Sequence, residues 1–323
     1  MRKFILSSIL AAFAATPALA EELVLYTSQP NADAQQTVDA FMAEYPDVKV
    51  TWVRDGTTKV MAKLQAEIAA GDVRPDLLLI ADMVTLEGLK QSGQLQPYKS
   101  DAANAYDPAL YDGEGYYYST KLITTGIVYN AGAEFKPTSW QDLAKPDMKG
   151  MIAMPSPLYS GAALIHLATL TGDEALGWDY YQALAKNEAR AQGGNGGTFK
   201  AVASGEKPYG VVVDYLAIRS KAKGSPVEFV FPEEGVSYVT EPVAILKSAK
   251  NVDAARKFVD FLLSDKGQDL VLSQGYIPAK NGAAVPEGFP ERSKIKLMNF
   301  DPASALANAE ANRSRFAEMF GAQ

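Results

Sequence analysis

The segment Leu23-Val24-Leu25-Tyr26-Thr27-Ser28-Gln29-Pro30-Asn31 joins four apolar residues to a polar turn. The residues after it, Ala32 to Glu44, carry Val38, Phe41 and Met42 at helical spacing. A short apolar strand that runs through a turn into a one-sided helix is the repeating unit of α/β architecture. The unit occurs twice more. Val48 to Val53 reads as a strand, Arg54-Asp55-Gly56-Thr57 as its turn, and Thr58 to Ala70 as a helix; Leu77 to Ile80 is a third strand, and Asp82 opens a helix that ends near Gly93. Three such units in succession predict a mainly parallel, doubly wound α/β sheet.

In a sheet of that kind the residues just past the strand C-termini line the ligand crevice. Here they are Thr27, Ser28, Gln29, Gly56, Thr57, Thr58, Ala81 and Asp82, with Arg54 flanking. The set is short, polar and rich in hydroxyls. Ser, Thr and Asp are also the ordinary caps of helices, so each one alone reads equally as structure. Recurrence at parallel positions of one sheet edge is what favours a binding role.

A basic start, Met1-Arg2-Lys3, precedes an apolar run from Phe4 to Ala15 and then Pro17-Ala18-Leu19-Ala20. This is the pattern of a secretory signal peptide cut after Ala20, so residues 1–20 are expected to be removed and the remainder exported to the periplasm. Nothing later approaches the ~20 uninterrupted apolar residues of a membrane-spanning helix. The chain has 31 basic and 38 acidic side chains, a net charge of −7, and the cut removes two basic residues and no acidic one, giving −9. That balance argues against nucleic acid or an anionic membrane surface as partner. With no cysteine, thiol catalysis, thiolate metal ligation and disulfides are excluded. About 300 residues suffice for two lobes, each with its own core.

A second informative segment runs from Pro155 to Gly172. Turn residues lead to Ser160-Gly161, and an apolar helical run from Ala162 follows. Ser160 reads as the cap of a helix whose first N–H groups, on Gly161 and Ala162, have no internal partner and lie at the positive end of the helix dipole. A small anion fits there; a plain structural cap fits the residues as well. Gln192-Gly193-Gly194-Asn195-Gly196-Gly197-Thr198 reads as a glycine-rich loop leading into a helix over Phe199 to Ala203, able to bring N–H groups close to an anion and able equally to be a mobile loop. Tyr209 to Val213 is a strand that ends on Asp214-Tyr215.

In their order and spacing, Leu23 to Ser28, Gly71-Asp72-Val73-Arg74-Pro75-Asp76-Leu77-Leu78-Leu79-Ile80, Gly205-Glu206 and Gly210 to Tyr215 resemble the solute-binding components of ABC importers. The resemblance covers nearly the whole chain after residue 20, including Ala254 to Gly275 and the tail near Asn312-Arg313, and is nearest to the ferric-iron-binding-like branch, which includes receptors for phosphonates and sugar phosphates. It implies a two-lobed type II periplasmic binding fold: doubly wound mixed sheets joined by two crossing strands, expected around 124–130 and 237–245. Lobe one would hold 21–125 plus 239–280, and lobe two 126–238 plus 281–323. It also implies an ABC permease as partner, a monomer, and no catalytic role or resident cofactor.

The iron-binding members that this chain resembles carry two adjacent tyrosines where Asp214-Tyr215 stands, and many carry a histidine or other ligand near Thr27-Ser28-Gln29. The single histidine, His166, sits inside an apolar helical run and reads as core. The metal site therefore looks incomplete. The candidate ligand-binding set is Thr27, Ser28, Gln29, Thr57, Thr58, Asp82, Ser160, Gly161, Ala162, Asn195, Thr198, Asp214 and Tyr215. Hydroxyls and helix N-termini suit a phosphonate or phosphate, and Asp82, Asp214 or Glu241 could face an ammonium. 2-Aminoethylphosphonate, carried by members that share the look of Asp55-Gly56-Thr57-Thr58 and Met61-Ala62-Lys63-Leu64, is the expected ligand; a sugar phosphate and ferric iron are the alternatives. A periplasmic sensor subunit would look the same in sequence. An exported hydrolase lacks a Gly-x-Ser-x-Gly elbow and a placed base, and Glu233-Glu234 are adjacent on a loop rather than a positioned pair. Tyr116-Tyr117-Tyr118 reads as packing between the lobes or as an aromatic cleft wall, and Leu306, Phe316, Met319 and Phe320 as a stripe that docks the tail.

Overall fold

The computed structural model describes residues 21–321, so the expected signal peptide lies outside the described residues. The first part of the chain runs β1 (Glu21–Thr27), α1 (Asn31–Glu44), β2 (Val48–Arg54), α2 (Thr57–Ala70), β3 (Leu77–Leu79), α3 (Met83–Gln91), β4 (Leu95–Gln96) and β5 (Tyr117–Ser119). It continues through β6 (Lys121–Asn130), α4 (Trp140–Ala144), β7 (Ile152–Met154), α5 (Gly161–Thr171), α6 (Gly177–Lys186), β8 (Arg190–Ala191), α7 (Asn195–Ala203), β9 (Tyr209–Val213), α8 (Asp214–Ala222), β10 (Val227–Val230) and β11 (Ser237–Val239). It closes with β12 (Pro242–Leu246), α9 (Val252–Leu263), α10 (Asp265–Ser273), β13 (Ile277–Pro278) and α11 (Pro302–Phe320).

Two mixed sheets result. The first has the order β2-β1-β3-β12-β4, with β5 also on β12; β1 is parallel to β2 and β3, and β12 is antiparallel to β3. The second has the order β10-β6-β9-β7-β8, with β11 and β13 also on β6. This is the two-sheet α/β architecture of type II periplasmic binding proteins. Each lobe closes its own core. Phe41 of α1 meets Phe258 of α9 edge-on at 4.8 Å in the first, and Trp140, Leu167, Tyr180, Val211 and Phe316 interlock in the second. Burying one such aromatic contributes about 1.5–3 kcal/mol. α2 stops at Gly71, whose φ of 69° places it in the left-handed region that closes a helix without a Cβ penalty.

The change of sheet comes earlier than the expected 124–130. Ser119 still pairs with Pro242 in the first sheet, while Lys121 already opens β6 of the second. The β-branched run after Leu122 reads as an extended connector in sequence, but it is a strand buried along nine of its ten residues and paired on both sides. The return change falls at Thr240-Glu241, between Val239, paired with Ile123, and Pro242. The two crossings are tied together there, since Thr120 N–H and Lys121 N–H both donate to Thr240 O at 3.1 and 3.2 Å. Glu241 holds a positive φ of 42° at this junction.

Other expectations meet specific packing. The tail stripe is on α11, which seats Phe316 in the second core and sets Leu306 beside Gly88 of α3 in the first lobe, so this helix bridges both. Tyr117 and Tyr118 belong to the first lobe, their hydroxyls donating to Glu87 Oε2 at 2.9 Å and to Tyr98 O at 2.5 Å, and neither lines the cleft. His166 is buried, with Nδ1 2.8 Å from Ser237 Oγ and its ring against Trp140; burial pushes its pKa down to about 3, so it is a neutral core residue.

Candidate functional site

Between the lobes lies a cavity of about 320 Å³. Its walls are built largely from the first residues of helices. α1 begins beside it at Pro30, α2 at Gly56 and Thr57, α5 at Ser160, Gly161 and Ala162, α7 at Gly194 to Gly197, and α8 at Val213 and Tyr215. The cause lies in the topology: in each lobe, strands point their C-terminal ends at the crevice, and each following helix therefore starts there. The first N–H groups of a helix have no partner within it, and together they carry about half a unit of positive charge.

Ser160 shows what this environment can do. Its Oγ accepts from Ala163 N at 3.3 Å and from Asn195 Nδ2 at 3.2 Å, so its lone pairs are engaged and its O–H proton is left to donate. Asn195 is fixed in turn by accepting from Val213 N at 3.1 Å, which ties α5, α7 and the end of β9 into one cluster. The glycine-rich segment is not a loop leading into a helix at Phe199, as its composition suggests. α7 starts at Asn195, so Gly196 and Gly197 form its first turn and present bare backbone to the cavity. At the rim, exposed Arg54 is held by Nε donating to Gln29 O at 2.7 Å.

Of the residues singled out in the sequence, the structure brings Ser28, Thr57, Ser160, Gly161, Ala162, Asn195 and Tyr215 to the cavity wall. The other six lie outside its lining, each for a local reason. Thr27 is buried and spends its hydroxyl on Leu79 O at 2.8 Å, and Gln29 turns its amide to Glu241 Oε2 at 3.2 Å. Thr58 gives its N–H to Tyr159 O at 3.4 Å. Asp82 is the cap of α3, taking Thr85 N at 3.0 Å, and burial raises its pKa. Thr198 is a turn further along α7, its methyl facing Gly210 of β9. Asp214 points away from the cavity toward β6, accepting from Thr124 N at 2.8 Å, Thr124 Oγ1 at 2.7 Å and Tyr215 N at 2.6 Å; burial pushes it up to about 6 against those three bonds.

Two lining residues outside the candidate set matter. Glu241 is the acidic side chain at the wall, and its Oε2 sits 2.5 Å from Lys121 Nζ, both groups almost wholly buried. Lys121 Nζ also lies 4.1 Å from the Tyr276 ring, without a well-aligned hydrogen bond of its own. Tyr159 reaches across from lobe two, its hydroxyl donating to Asp55 Oδ1 at 3.0 Å. The sequence offers Glu241 as a carboxylate for an ammonium but not its pairing with Lys121, and nothing in the sequence singles out Tyr159. Among the described residues no group of three or more His, Cys, Asp or Glu side chains is arranged to hold a metal ion, and no helix is long and apolar enough to cross a membrane.

Residues 72–305 match the family of bacterial extracellular solute-binding proteins. The chain belongs to that family. Members of the family are solute-binding proteins. This solute-binding protein is 26% identical to Iron uptake protein A1 of Synechocystis over 82% of its length and 78% of the relative. It is likewise 26% identical to the putrescine/cadaverine-binding protein of Pseudomonas aeruginosa, over 96% and 93% of the two chains. Its fold superposes with a TM-score of 0.84 on the periplasmic binding protein AfuA of Actinobacillus pleuropneumoniae, solved with fructose-6-phosphate, at 25% identity and over 94% and 99% of the chains. The relatives thus share a scaffold and differ in ligand.

Proposed function

We propose that this solute-binding protein serves an ABC importer in the periplasm and that its cargo is a small organophosphorus anion, a phosphonate or a phosphate monoester. The observation that carries this reading is the meeting of helix N-termini from both lobes at one cavity wall, with the Ser160 hydroxyl among them. Backbone N–H groups and a hydroxyl donor suit a tetrahedral oxyanion, and Arg54 at the rim adds charge of the right sign.

Glu241 and Tyr215 also line the cavity and are available to the rest of the ligand. Of the three carboxylates considered for an ammonium, Glu241 is the one at the wall, and Lys121 offsets its charge. 2-Aminoethylphosphonate can still approach it. A sugar phosphate, whose hydroxyls use the same groups without needing net negative charge, is the second reading, favoured by the likeness to AfuA.

Thermal melting against a panel tests the reading. Binding at a hundredfold excess over the dissociation constant stabilises a protein by about 2.7 kcal/mol, which corresponds to a rise on the order of 5 °C. Such a rise is expected with 2-aminoethylphosphonate or fructose 6-phosphate, and none with putrescine. A rise with putrescine, or with ferric citrate together with a visible phenolate charge-transfer band, would overturn the proposal.

A further inference from the structure

One side chain closes the cavity from above. Tyr159 stands on lobe two, immediately before the cap of α5, yet three of its contacts are with lobe one. Its hydroxyl donates to Asp55 Oδ1 at 3.0 Å, its carbonyl accepts from Thr58 N at 3.4 Å, and Lys59 Nζ lies 5.2 Å from the centre of its ring. Asp55 Oδ1 is itself held by Gly56 N at 2.7 Å, so the acceptor is fixed before the tyrosine arrives.

The surroundings are cut to fit the ring. A Cβ at Gly56 would lie 2.6 Å from Tyr159 Cε1 and Cζ and 2.7 Å from its carbonyl oxygen, and one at Gly194 would lie 3.0 Å from Cε1. Gly56 has an ordinary φ of −58°, so its backbone does not require glycine; the close approach of Tyr159 does. The phenol is therefore admitted between two bare stretches of backbone, one on each lobe, both at the cavity wall.

We propose that Tyr159 is the residue that retains the ligand: it latches the lobes shut through Asp55 once the cavity is filled, and so sets the rate of release. This rests on the cavity between the lobes being the binding site. Because the contacts with Asp55, Gly56, Thr58 and Lys59 span the lobes, they are lost on opening, and the latch acts on dissociation rather than on the first encounter.

The chain has no cysteine, so cysteines introduced at two exposed helix positions, Gln65 on α2 and Lys186 on α6, take spin labels uniquely and report lobe separation by pulsed dipolar spectroscopy. The separation is measured in the parent, Tyr159→Phe, Asp55→Asn and Gly56→Ala, ligand-free and with 2-aminoethylphosphonate, and with fructose 6-phosphate as a second probe. Loss of a hydrogen bond to a charged group predicts a closed fraction reduced about tenfold relative to open, and a probe dissociation rate raised about tenfold in Tyr159→Phe, with association and the ligand-free melting temperature unchanged. Gly56→Ala is expected to behave alike by crowding the ring while the tyrosine itself is kept. A closed fraction that is the same in the parent and all three variants overturns the latch. If the parent binds neither probe, the ligand reading fails, and the ligand-free closed fraction still decides the latch.

Discussion

Lys121→Met is expected to lower the stability of the folded protein by about 3–5 kcal/mol, the usual cost of leaving a buried charge without its partner. Lys121 and Glu241 have side chains 1% and 3% exposed, and their charged atoms are 2.5 Å apart. They stand on the two crossings, Lys121 opening β6 and Glu241 just before β12, so the pair lies where the lobes are joined. Methionine matches the lysine stem and removes only the ammonium, leaving Glu241 with Gln29 Nε2 at 3.2 Å as its remaining side-chain partner. Urea unfolding measures the loss, and the double variant Lys121→Met/Glu241→Leu is expected to recover most of it, because the unpaired charge goes too. A change under about 1 kcal/mol in the single variant would show that the pair is hydrated or dispensable.

The largest effect on binding is expected from Gly161→Ala. A single added carbon at this position would lie 2.6 Å from Ala81 O, 2.8 Å from Thr57 Oγ1 and 2.9 Å from Thr57 Cβ. Gly161 belongs to lobe two and all three of those atoms to lobe one, so the clash exists only when the lobes are closed. Alanine is a good residue for the first turn of a helix, and the lobe itself should fold as well as before. We expect an apparent affinity lower by about a hundredfold, since only the closed fraction binds fully, with the melting temperature of the ligand-free variant unchanged. Titration calorimetry checks the first part and melting the second. Parent-like affinity would mean that the cavity is not completed by closure.

Much of the first lobe is legible in sequence because its strands and helices carry their own signals. Val48 to Val53 and Ala32 to Glu44 differ from β2 and α1 by one residue at one end. The helix after Ser160 and the strand over Tyr209 to Val213 were equally plain, since a serine cap and a β-branched run are local features. What fails is whatever depends on the partner across space. Nothing in the sequence near Asp214 says that its carboxylate faces Thr124, ninety residues earlier in the chain, rather than the cleft. Thr27 and Thr57 occupy equivalent places after strands, yet the first turns inward to Leu79 O and the second lines the cavity. The glycine-rich segment misleads for a different reason. Asn195-Gly196-Gly197 has poor helix propensity, and it is helical because Asn195 is pinned by Ser160 and Val213 and packs against the other helix starts.

On this reading the helix starts around Ser160 bind the oxyanion of the ligand. This is tested most directly by calorimetric titration of the ligand-stripped protein with matched pairs: fructose 6-phosphate against fructose, and 2-aminoethylphosphonate against ethylamine. Saturable binding at one site per chain is expected for at least one phosphorus-bearing member, with no measurable heat for its partner. Equal binding of the partner that lacks the phosphorus group would contradict this reading.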